Sequence, residues 1–242
     1  MDSTTRTSPA IVLVPGFWLG AWAWEAVAAG LRDRGHHVTA VTLSGLDPDD
    51  PHRASATLEQ QADALLSAVG AAATDGSSVV LVAHSGAGHP TSVLLDRAPA
   101  AVARVVYVDS GPAADGSAVD ASVTQGQKEV PLPPIEELDA SIEGLSEADL
   151  MRFRQRAVPQ PASVIRERVH LGNDARRDVP TTIIACSLPS QVMMRMVHDG
   201  HPMMAEVATL RNLQLIDLPT GHWPMWSRPT DLATAIADAA GH

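Results

Sequence analysis

A chain of 242 residues, 45% of them hydrophobic, holds enough apolar material for one sizeable α/β domain built on a single core. Its formal charge of −11 excludes nucleic acid and anionic membrane as natural partners, because their phosphates would be repelled. Cys186 stands alone, which excludes an intrachain disulfide, and Lys128 is the one lysine among 17 basic residues, which excludes a lysine-rich patch. Met1–Ala10 lacks a charged segment followed by a signal-peptide core, and no apolar run reaches membrane-spanning length. A soluble, cytoplasmic protein is the expectation, with a homo-oligomer left open.

Taken in chain order, an apolar run at Ile11–Val14 predicts a strand, and Pro15-Gly16-Phe17-Trp18 a tight loop at its end. Helical pattern follows over Ala21–Arg34, then a strand at Val38–Val41, then a helix over Thr57–Ala73 opened by the capping-box pair Thr57 and Gln60. Val79–Val82 predicts a buried strand. It runs into Ala83-His84-Ser85-Gly86-Ala87, where small residues two positions to either side of Ser85 permit a sharp strand-to-helix turn that exposes a serine hydroxyl.

A further strand at Val105–Val108 ends at Asp109. Residues 112–180 then interrupt the alternation with a Pro-, Glu- and Arg-rich stretch, helical near Pro134–Ile142 and Ser146–Arg156. The expectation is a lid inserted into a core made of 1–111 and 181–242. Strands at Thr182–Ala185 and Leu213–Leu218, the loop Gly221-His222-Trp223-Pro224 and a helix over Thr230–Ala240 complete the chain. Alternating strand and helix imply a mostly parallel, doubly wound sheet whose ligands bind at the carboxyl ends of the strands.

A serine alkoxide does not form unaided at neutral pH, so a base must lie within reach and a third group must fix that base's tautomer. Of ten histidines, His222 is the best placed, in a Gly- and Pro-bounded loop after the last strand. His36 and His37 close a helix, His84 packs beside the turn, and His52 and His242 fall in polar or terminal segments. The amides of Phe17 and Gly86 are the expected oxyanion donors. Trp18, Trp223 and the methionines Met193, Met194 and Met196 are candidates for pocket walls, although methionines at helical spacing also suit a core.

These segments, in this order, resemble the α/β-hydrolase superfamily, and the opening Val14-Pro15-Gly16-Phe17-Trp18-Leu19-Gly20-Ala21-Trp22-Ala23-Trp24 is similar to that of the plant methylesterase and hydroxynitrile lyase group, with Pro15 in place of that group's histidine. The resemblance implies an acid after the strand that follows the lid, yet Cys186-Ser187-Leu188-Pro189-Ser190 offers no carboxylate. Asp109, at the alternative place some members use, is therefore the expected acid. Its other role would be a turn-forming Asp ahead of Gly111; Asp199 is the fallback acid, and Asp217 suits a structural pair.

The resulting expectation is a cofactor-independent serine esterase acting on a small, largely apolar ester or lactone through an acyl-enzyme. Thioesterase, acyltransferase or lyase chemistry on the same fold, and a small-molecule receptor that keeps the triad, are the alternatives; Trp223 stands where the lyases have a lysine. Gly86-Ala87-Gly88-His89-Pro90-Thr91, with Asp109 about twenty residues on, also mimics a dinucleotide-binding fingerprint, but Thr91 replaces its third glycine. His198-Asp199-Gly200-His201 lacks a third metal ligand, so no metal is assigned.

Overall fold

The computed structural model describes residues 8–73, 76–138 and 140–241; the leader expectation for Met1–Thr7 and the terminal His242 lie outside them. The strands are β1 (Ala10–Val14), β2 (Val38–Ala40), β3 (Val79–His84), β4 (Arg104–Val108), β5 (Glu129–Val130), β6 (Gln160–Pro161), β7 (Thr181–Ala185) and β8 (Leu213–Asp217). The helices are α1 (Glu25–Arg32), α2 (Leu58–Ala72), α3 (Gly88–Arg97), α4 (Glu147–Arg156), α5 (Ala162–Arg166), α6 (Ser190–His198), α7 (Pro224–Ser227) and α8 (Pro229–Gly241).

Six strands form one sheet in the order β2-β1-β3-β4-β7-β8, with every pairing parallel. β1, β3 and β7 are buried along their whole length, which is why they are rich in apolar, branched residues. Alternate side chains leave opposite faces. Ile11, Leu13, Val80, Val82 and Val106 meet α1 and α8 on one face, while Val12, Val14, Leu81, Ala83 and Val105 meet α2, α3 and α6 on the other. The chain runs from β1 out to the edge strand β2 and returns on the far side of β1 as β3. The loops after β1 and β3 therefore part at the switch point of the sheet, where such folds open a crevice.

Residues 112–180 contribute Ile135, Leu150 and Phe153 to the first of these clusters. α4 begins where its sequence predicts, with Ser146 and Asp149 forming a capping box. Of the helix expected near Pro134–Ile142, in which Asp139 lies outside the described residues, the described residues form one 3-10 turn over Ile135–Glu137. The main-chain carbonyls of Ser141 and Glu143 instead accept from the amides of His222 and Gly221, at 2.7 and 3.1 Å, so their partners are tertiary rather than helical. The helix expected from Ala21 opens as a 3-10 turn over Ala21–Trp24 before α1 begins. No described helix is long and apolar enough to cross a membrane.

Candidate active site

β3 delivers Ser85 to the carboxyl edge of the sheet, and a 3-10 turn over Ser85–Ala87 leads into α3. Ser85 holds φ at 52°, a left-handed conformation that L residues adopt at a cost. Gly16, from the loop after β1, approaches so closely that a Cβ there would fall 2.7 Å from the Ser85 Cβ. The Phe17 ring lies against Gly86 and leaves no room for a side chain on it. Among the described residues, neither the Phe17 nor the Gly86 amide takes part in a hydrogen bond outside regular secondary structure.

The loop after β8 carries His222 to the same edge. Its Nε2 lies 2.8 Å from Ser85 Oγ and its Nδ1 lies 2.6 Å from Asp109 Oδ2. Asp109 follows β4 directly at φ 42°. The Asp109 side chain is 6% exposed and that of His222 18%. The residues after β7, where the family resemblance leads one to expect the acid, hold this carboxylate instead. The amides of Cys186 and Ser187 donate to Oδ1 at 3.1 and 2.8 Å, and the Ser187 hydroxyl donates to Oδ2 at 2.6 Å. Burial alone would raise the Asp109 pKa, but the hydrogen bonds from His222 and Ser187 outweigh it and lower it to about 2. An ionised carboxylate only accepts, so His222 Nδ1 carries the proton and Nε2 turns a lone pair towards the Ser85 hydroxyl.

Two supports escaped sequence reasoning. The Ser110 hydroxyl donates to the Ser85 carbonyl at 2.6 Å, so Asp109 and Ser110, adjacent in sequence, hold His222 and Ser85 respectively. His84 does more than pack: its Nε2 lies 2.7 Å from the His222 carbonyl. Burial, and secondarily the neighbouring His222, lowers its pKa to about 3, so the ring is neutral and Nε2–H is the donor. No sequence signal distinguishes these contacts, because a main-chain carbonyl is an acceptor at every residue.

The remaining candidates are placed elsewhere. Trp223 does not line an open pocket; it is 2% exposed, behind His222 and against Phe153 of α4, with ring centroids 5.0 and 5.3 Å away. Trp18, half-buried with φ at 64°, gives its indole N–H to the Val130 carbonyl at 3.0 Å and accepts from the Val158 amide at its own carbonyl. Met193 is buried in the core beneath α6 and Met196 packs against that core, whereas Met194 is exposed; they form no common wall. Asp199 is exposed at the end of α6, and the partner of His222 is Asp109. Asp217 caps α6, accepting from the Ser190 amide and hydroxyl. Cys186 is buried, and burial raises its thiol pKa. His201 caps its own turn through Met203, and Thr91 is fully buried in α3.

The family model described as "Alpha/beta hydrolase family" matches residues 11–235. Esterase PIR7B of rice is 37% identical over 110 residues, which take in 45% of this chain and 41% of that protein, so the chain spans less than half of this curated relative's length. Probable hydrolase R7 of a Phoma species is 28% identical over 97% of this chain and 99% of its own. The solved structure of the methylesterase MES16 from Arabidopsis superposes with a TM-score of 0.73 at 19% identity, covering 96% of this chain and 99% of that one.

Proposed function

We propose that this chain, which belongs to the alpha/beta hydrolase family, is a serine esterase that cleaves small, largely apolar esters or lactones through an acyl-enzyme. The observation that carries the proposal is the unbroken row Ser85–His222–Asp109, with contacts of 2.8 and 2.6 Å, at the edge of the sheet where ligands bind. In this reaction Ser85 Oγ attacks the ester carbonyl while His222 Nε2 takes its proton. The carbonyl oxygen gathers the negative charge and accepts from the Phe17 and Gly86 amides. The tetrahedral intermediate then collapses, and the alcohol leaves with the proton from His222. Water repeats the sequence on the acyl-enzyme, giving up its proton to His222 and freeing the acid and Ser85. Asp109 keeps its negative charge throughout and stabilises the imidazolium. Half-buried Phe17, whose ring lies against Gly86, offers apolar surface beside the nucleophile, which favours acyl groups with little charge.

The names of the relatives support ester hydrolysis, and the methylesterase among them makes methyl esters the first class to assay. Turnover of small methyl and p-nitrophenyl esters should be measured for the wild type and for Ser85→Ala. We expect hydrolysis by the wild type and its loss in the variant with no change in unfolding midpoint. Equal rates for the two proteins would contradict Ser85 as nucleophile.

A further inference from the structure

The proposed reaction needs His222 Nε2 to stay aimed at Ser85 through two proton transfers, yet His222 sits on a loop rather than within a helix or strand. Its main chain is tied on both sides. The amide donates to the Ser141 carbonyl at 2.7 Å, and the carbonyl accepts from His84 Nε2 at 2.7 Å. His84 is 1% exposed at the end of β3, a strand paired on both sides, where it also precedes the nucleophile directly. Its Nδ1 has no hydrogen-bond partner and faces Gly16, whose Cβ, were there one, would fall 2.9 Å away. A buried imidazole with one nitrogen left unpaired is a poor choice for packing alone, since an apolar side chain would fill the same space without that loss. Among the described residues, the one hydrogen bond its ring makes is that to His222.

We propose that His84 is a positioning residue: by donating Nε2–H to the His222 carbonyl, it couples the strand that carries the nucleophile to the loop that carries the base. The proposal rests on the serine esterase reading. His84 touches neither substrate nor reacting atoms and acts through His222 alone. Because the carbonyl oxygen can only accept, the bond fixes the His84 tautomer with hydrogen on Nε2 and a bare Nδ1, in accord with the unpartnered state of that nitrogen.

The test compares His84→Leu, which fills the space without a donor, with His84→Gln, whose amide can place an N–H near the Nε2 position. Turnover of a p-nitrophenyl ester would be measured beside the unfolding midpoint. We expect kcat to fall about 100-fold in His84→Leu, the scale of a misplaced catalytic group, with KM unchanged, and His84→Gln to recover most of it. Equal kcat in wild type and folded His84→Leu would overturn the proposal, as would equal losses in both variants. Should neither variant fold, the ring nitrogens of His84 in the wild type decide by NMR: hydrogen on Nε2 supports the bond, and hydrogen on Nδ1 overturns it. An inactive wild type that does not differ from Ser85→Ala would instead count against the esterase reading itself.

Discussion

Trp18, Ser85 and Asp109 are the residues other than glycine that hold positive φ among those described, and all three belong to this one edge of the sheet. Each such conformation costs about 1–3 kcal/mol and persists only where neighbours over-determine it; here the Ser85 carbonyl is held by Ser110, the Asp109 carboxylate by Cys186 and Ser187, and the Trp18 indole by Val130. Asp109→Asn should leave the fold intact while lowering kcat by about 10⁴-fold, because an amide nitrogen facing His222 favours the wrong imidazole tautomer; steady-state kinetics at pH 7 check this, and an unchanged kcat would remove Asp109 from the mechanism. That Asp109 faces His222 was legible in the sequence, because Cys186–Ser190 offers no carboxylate and Asp109 closes the neighbouring strand. The role of His84 was not, since its partner is a carbonyl 138 residues away. Trp223 beside a candidate base reads equally well as pocket wall or backing, and only the position of Phe153 decides between them.

At the scale of elements, residues 112–180 and His222 are joined through the loop after β8. Gly221 lies so close to the insertion that a Cβ would come within 2.6 Å of the Ser141 and Glu143 carbonyls. Gly221→Ala must push these segments apart and loosen the amide tether of His222. We expect kcat to fall about 100-fold, the scale of a displaced catalytic group, measurable with the same ester; wild-type kcat in a folded Gly221→Ala protein would show that the tether does not matter. Thr57→Ala is the contrasting case, because its capping box on α2 lies in an element that carries none of the proposed site. It should cost about 1 kcal/mol in urea-induced unfolding and leave kcat unchanged. That helix was legible from Thr57 and Gln60 because a capping box is a local device. The irregular course of residues 140–145 was not, because the Ser141 and Glu143 carbonyls bond to a distant loop.

For the whole molecule, the buried titratable groups set the response to acid. Burial lowers His84 to about 3 and His89 to about 4, so below the ordinary histidine value of 6.5 the unfolded chain binds protons that the native protein does not. Stability therefore falls as pH drops from 6.5 towards 4, by an order of 1–3 kcal/mol per pH unit for the two histidines together. Asp109, lowered to about 2 from 3.8, adds a further loss below pH 4. Urea unfolding at pH 7, 5.5 and 4.5 should show this decline, and a flat profile would contradict the burial of neutral histidines. The central claim, an activated serine, is tested most directly by incubating the folded protein with a fluorophosphonate and locating the adduct by peptide mass spectrometry. One adduct per chain, on Ser85 and absent from Ser85→Ala, is the predicted result. An unlabelled wild type, or an adduct on another residue that persists in Ser85→Ala, would contradict it.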